Sequence, residues 1–353
     1  MTISANKLIS ADSHITEPPD LWETRLDKKF RDRAPGYVLD KSSDGLLFVI
    51  DGQIPKQVNA NIAVGQKPKD YKKFFNKGLE AARPGGWDPS KRLKDMDSDS
   101  IEAAVLYTSQ GFRLFAIDDA AYQEACFRAY NDWVYDYCSK DLNRLYGIAM
   151  ISLFNINHAV KELRRCKKLG LCGAMIWGSP PEELAFENKH YEPFWAEASN
   201  LGMPLSLHIG TGGDVSAREK AISKTPFWSK LDSMVQLPAE IQRSLFTLIF
   251  SGVLERFPKL RIVSAEYDIG WVPYFLQNID RLYQRWSPLI GLKLTLPPSD
   301  YFQRQVQLTF IRDNIGVKMV KAGLLPAKNV MWCDDYPHGA STWPKSQEFV
   351  DET

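Results

Sequence analysis

Three of the five histidines, His14, His208 and His338, fall at or just past the ends of apolar runs that read as β-strands. Carboxylates occupy similar places: Asp12 and His14 lie in SADSHITEP, Glu266 closes LRIVSAE, and Asp335 follows NVMWCD, while His208 closes MPLSLH. Residues two apart on a strand leave the same face, so Asp12 and His14 can converge on one ion. A single His at a strand end is ordinarily a hydrogen-bonded rim residue. Imidazole and carboxylate donors recurring at four strand ends favour a divalent metal held by Asp12, His14, His208 and Asp335.

The remaining polar residues leave their roles open at this stage. Glu266 reads as a further ligand, a proton carrier or the partner of an arginine, and catalytic work is expected of Glu266, Asp335 and His338. His338, three residues past Asp335 in DDYPH, is ligand, orienting partner or rim residue. Asp334 should be structural, because neighbours on a strand face opposite ways. His158 and His190 fall on or near helices and read as surface or packing residues. With Asp12, Glu266 and Asp335 together, the donor set is rich in hard oxygen, which makes manganese or iron as suitable as zinc. Three clustered carboxylates repel unless cations neutralise them, so two ions are an alternative to one.

Eight β-type runs would carry these residues: Leu8 to Ser13, Ile101 to Tyr107, Leu145 to Ile151, Leu171 to Trp177, Met203 to His208, Leu260 to Ala265, Gln305 to Phe310 and Asn329 to Asp334. Helical periodicity fills the intervals at Ser90 to Met96, Asp119 to Ser139, Ile156 to Leu169, Tyr191 to Leu201, Pro238 to Phe257, Ile269 to Trp286 and Arg312 to Ala322. Alternation of this kind predicts an α/β fold, a (β/α)8 TIM barrel formed by residues 1–353 as one domain, with its reacting groups at the carboxyl ends of the strands. A hairpin around Ser42-Ser43-Asp44-Gly45 opens an insertion over residues 36–86, which reads as a wall or cap. Thr211 to Gln236 and PLIGLKLTLPPSDYF read as irregular. In or near these segments, Arg83, Arg113 and Arg218 read as surface charge or anion clamps, Thr211-Gly212-Gly213 as a turn, and Phe112 and Trp177 as pocket lining or packing. The closing outer helix, Pro344 to Glu352, reads as short.

The chain of 353 residues is 44% hydrophobic and 25% charged, the makeup of a globular protein and not of a disordered one. A net charge of +1 provides no field for nucleic acid or anionic lipid, so the expected partner is a small-molecule substrate. No run approaches the roughly 20 apolar residues of a membrane span, and MTISANKLISADSHITEPPDLW lacks the plan of a secretion signal, so a cytoplasmic protein is expected. Cys126, Cys138, Cys166, Cys172 and Cys333 show no C-x-x-C spacing and read as buried free thiols. Ten tryptophans and fourteen tyrosines suit interfaces as well as cores, so a homo- or hetero-oligomer is expected.

The segments ADSHITEPPDLW, RLKDMDSDSIEAAVLY, AYNDWVYDYC, MPLSLHIG, RFPKLRIVSAEYDIGWVPYFL and VMWCDDYPHGASTWPKS resemble the amidohydrolase-related family of metal-dependent hydrolases, in the branch of aminocarboxymuconate-semialdehyde, resorcylate and carboxyvanillate decarboxylases. The resemblance implies a (β/α)8 barrel whose metal is held by Asp12, His14, His208 and Asp335. It also implies a hydrolase or non-oxidative decarboxylase acting on a small organic acid or amide. Two positions depart from the pattern. Glu266 stands where decarboxylases of this group usually place a proton-shuttling His, and Asp12-x-His14 replaces the H-x-H pair of many relatives. The oxygen-rich set leaves one alternative, an iron- or iron/manganese-dependent hydroxylase on the same barrel, and the tryptophan- and tyrosine-rich composition leaves another, a partner subunit of a heteromeric enzyme.

Overall fold

The computed structural model describes residues 7–40, 45–212 and 235–353. Its strands are β1 (Leu8–His14), β2 (Gly36–Asp40), β3 (Gly45–Val49), β4 (Lys56–Gln57), β5 (Ile101–Tyr107), β6 (Leu145–Met150), β7 (Gly173–Ile176), β8 (Leu205–His208), β9 (Ile262–Ala265), β10 (Val306–Phe310) and β11 (Val330–Trp332). Eight of them form one sheet in the order β1-β5-β6-β7-β8-β9-β10-β11, and helices connect them in sequence. This is the (β/α)8 class read from the sequence, and each of the eight expected strands is present with ends shifted by at most two residues. The chain divides into two compact units, one comprising Met1–Met150, Leu169–Cys172 and Trp332–Thr353, the other Ile151–Lys168 and Gly173–Met331.

In the first unit, β1 pairs in parallel with β5, and β5 with β6. Strands buried on both faces need mostly apolar side chains, and β5 (IEAAVLY) meets that demand except at half-buried Glu102, which is ion-paired with Lys7 at 2.5 Å. The helix Ala120–Cys138 starts where Asp119 caps it, its carboxylate accepting from Tyr122 N at 3.1 Å. Its buried stripe includes Tyr122, Cys126, Phe127, Tyr130, Trp133, Val134 and Tyr137, at the three- and four-residue spacing of a face pressed on a sheet. Buried Asn131 fixes this helix against β6, donating to Met150 O at 3.0 Å and accepting from Met150 N at 2.7 Å.

The insertion contains the expected hairpin, β2 antiparallel to β3, extended by the short β4. The predicted turn at 42–44 lies outside the described residues, as do Gly213, Arg218 and most of the segment 211–236. Past β4 the insertion reaches the chain after β11: Val64 N donates to Pro337 O at 3.0 Å and Gly339 N to Ala60 O at 2.7 Å.

In the second unit, β7, β8, β9 and β10 run parallel in register. Two readings need correction here. The helix expected over Pro238 to Phe257 is two helices, Leu237–Phe250 and Val253–Arg256, because Gly252 takes a left-handed φ of +74° that no helix interior accommodates. The stretch read as irregular before the seventh strand contains a helix, Pro298–Gln305, with proline at its first position, where a missing N–H costs nothing. Among the described residues no helix is long and apolar enough to cross a membrane.

Candidate metal centre

The carboxyl end of β1 delivers Asp12 and His14, both fully buried. A register shift between Ser10 and Ser13 interrupts the ladder to β5, and the two side chains still converge, with Asp12 Oδ1 3.5 Å from His14 Nε2. His14 Nδ1 donates to Thr108 O at 2.8 Å, so Nε2 is the ring nitrogen turned toward Asp12 and Asp335.

Asp335 follows β11 in a left-handed backbone conformation, φ +53°, an uncommon state for a residue with a side chain. Its Oδ1 lies 3.3 Å from His14 Nε2 and 2.8 Å from His338 Nδ1. Burial pushes the Asp335 carboxyl up, but the charge of His338 and the contacts with His14 and His338 outweigh it and hold the acid well below the usual carboxylate range. The His338 ring stacks on His14 with centroids 4.0 Å apart, and its Nε2 is hydrogen-bonded to the Ser109 hydroxyl at 2.9 Å. With both nitrogens engaged, His338 steers Asp335 and its own ring is not offered to an ion. Asp334 turns away as expected: its Oδ1 accepts from Ser10 Oγ at 2.7 Å and Ser13 Oγ at 2.6 Å, tying this segment to β1. Thr108 and Ser109, which hold the two rings, were not singled out from the sequence. Their position directly after the predicted strand Ile101 to Tyr107 was the available signal.

In the second unit His208 ends β8, fully buried, and its Nδ1 donates to Ile209 O at 2.9 Å, again presenting Nε2. Thr211 supports it by donating from Oγ1 to His208 O at 2.7 Å while accepting from Gly178 N at 2.7 Å. A Cβ at Gly178 would sit 2.7 Å from His208 O, so only glycine allows this approach. Glu266 follows β9 with φ +64°, and its Oε2 is 3.5 Å from His208 Nε2. Thr309 Oγ1 accepts from Glu266 N at 2.7 Å and holds the strained peptide in place.

Other sequence candidates have ordinary partners. Arg83 is ion-paired with Asp95 and its guanidinium lies 4.1 Å from the Trp343 ring centroid. Arg113 is half-buried in the turn Gly111–Ala116. Phe112 meets His14 edge-on at 5.6 Å, whereas Trp177 is buried against Phe154 as packing. His158 is exposed, and His190 Nε2 lies 3.3 Å from Leu153 O.

The donors suit a divalent cation. Within the first unit, the buried His14 Nε2 lies 3.5 Å from Asp12 Oδ1 and 3.3 Å from Asp335 Oδ1, so one imidazole nitrogen and two carboxylate oxygens meet without help from His338. Asp335 Oδ2 is buried and makes no hydrogen bond among the described residues. Metal–ligand bonds of about 2.0–2.2 Å put tetrahedral ligand atoms roughly 3.4 Å apart, the spacing of His14 Nε2 from both carboxylates, whereas direct hydrogen bonds would be shorter.

The amidohydrolase family model matches residues 11–352. The chain belongs to this family. Among curated relatives of this amidohydrolase, 2-amino-3-carboxymuconate-6-semialdehyde decarboxylase of Dictyostelium discoideum is 24% identical over 71% of this chain and 67% of its own length. Gamma-resorcylate decarboxylase of Rhodococcus jostii is 31% identical over 54% of this chain and 58% of its own. The fold is that of a dihydroxybenzoic acid decarboxylase from Polaromonas sp. JS666, whose structure holds manganese and the inhibitor 2-nitroresorcinol. The match has a TM-score of 0.65 at 19% identity over 98% of this chain and 90% of that one.

Proposed function

We propose that this amidohydrolase is a metal-dependent, non-oxidative decarboxylase of a small aromatic acid, with Asp12, His14, His208 and Asp335 holding one divalent ion, manganese before zinc. The observation that carries the reading is the family match across residues 11–352 together with curated relatives that are decarboxylases. A bound divalent ion supplies Lewis-acid anchoring of an anionic substrate. Loss of carbon dioxide breaks the bond between the carboxylate and the ring, the electron pair stays on the ring carbon, and that carbon takes up a proton. Glu266, beside His208 at the exit of β9, is the group assigned to carry that proton in place of an imidazole. The strained backbone at Glu266 and Asp335 supports functional placement of both carboxylates.

Reconstitution with manganese and turnover of a panel of hydroxybenzoic acids under nitrogen tests this reading. Carbon dioxide and the decarboxylated arene are expected in equal amounts, with kcat reduced about 100-fold or more in Glu266→Gln. The oxygen-rich donors Asp12, Glu266 and Asp335 also suit iron and oxygen chemistry. Turnover that requires O2 and consumes it with substrate would replace decarboxylation by hydroxylation.

A further inference from the structure

Glu17 lies three residues past His14 and its side chain is fully buried, yet no lysine or arginine faces its carboxylate in an ion pair among the described residues. A carboxylate is retained in such a place only when enough donors satisfy it. Here four converge from one short segment. The Thr108 hydroxyl donates to Oε1, as do Ser109 N at 3.1 Å and Gly111 N at 3.2 Å, while Gln110 N donates to Oε2 at 2.9 Å. The turn is wound tightly enough that a Cβ at Gly111 would lie 2.1 Å from Thr108 Oγ1.

Residues of the same turn hold the metal-side rings. Thr108 O accepts from His14 Nδ1, and the Ser109 hydroxyl engages His338 Nε2, whose other nitrogen faces Asp335. The chain after β1 therefore supplies both a ligand, His14, and the anchor of the turn that orients it. An acceptor-only group with two oxygens can gather four donors, whereas an amide in its place would set its NH2 against a backbone N–H.

We propose that Glu17 is a positioning residue of the metal centre, its carboxylate shaping the Thr108–Gly111 turn that fixes the His14 tautomer and the His338–Asp335 contact. The proposal rests on the metal reading above, so its test includes a readout that needs no metal. With histidine-selective 15N labelling of the full chain, His14 in the parent should show a protonated Nδ1 and an unprotonated Nε2. In folded Glu17→Gln that pattern should be lost, and Mn2+ binding, measured by chelator competition, should weaken about tenfold or more. A parental His14 pattern in the folded variant overturns the proposal. Should Glu17→Gln fail to fold, Thr108→Val, which removes one donor and spares the carboxylate, decides. A shifted His14 pattern supports the role, and a parental pattern with Mn2+ affinity within twofold rejects it. If the parent itself binds no Mn2+, the metal reading fails, and the ring spectra still decide the role of Glu17.

Discussion

At the scale of single residues, the centre is defined less by which donors are present than by how each is held. His14 and His208 both spend Nδ1 on a backbone carbonyl and so present Nε2. His338 is of the same residue type and equally placed past a strand, but Asp335 and Ser109 occupy its two nitrogens. Replacing His338 by Phe keeps a ring against His14 and removes both polar contacts, leaving Asp335 less firmly oriented. Mn2+ affinity should fall by about 10- to 100-fold with the fold intact by circular dichroism. Affinity within twofold of the parent would show that Asp335 needs no steering from His338.

At the scale of elements, the C-terminal helix Ser346–Glu352 depends on a buried acid remote in sequence, Asp99, at the end of the helix Pro89–Ser98. Asp99 accepts from Ser346 N at 2.9 Å and from Ser346 Oγ at 2.5 Å. Burial pushes the Asp99 carboxyl up to about 6 from its ordinary 3.8, against the pull of the Ser346 bonds, and nearby Asp334 adds to the rise. The folded state thus binds the proton more tightly than the unfolded chain. Its stabilising effect is complete below about 3.8 and is lost as pH rises through about 6. Urea unfolding of the parent and of Asp99→Asn at pH 5 and pH 7.5 should show the variant gaining on the parent at the higher pH. An unchanged gap between the two would remove Asp99 from this account.

At the scale of the whole molecule, a metal that binds only the native state adds stability by mass action. At a free concentration of about 100 times its dissociation constant, that gain is about 2.7 kcal/mol. For a chain of this size it corresponds to a melting temperature roughly 4 °C higher. Stripping the metal with a chelator should lower the midpoint by that amount, and manganese should restore it. No shift on stripping and reloading, with elemental analysis confirming both states, would show that the buried donors carry no structural ion.

Local sequence determined the parts that depend on local physics. The strand β5 and the helix Ala120–Cys138 were legible because backbone periodicity and burial impose a spacing on apolar residues. The places of Asp12, His14, His208, Glu266 and Asp335 at or just past strand ends were legible because apolar runs mark where strands stop. The break at Gly252 was not, since a lone glycine inside a helical pattern is usually tolerated and only the backbone path shows that its φ is positive. Neither was the work of Glu17, nor the pairing of Ser109 with His338. A buried polar group takes its role from whichever donors and acceptors the folded chain brings within about 3 Å, and contacts between residues remote in sequence leave no period along it.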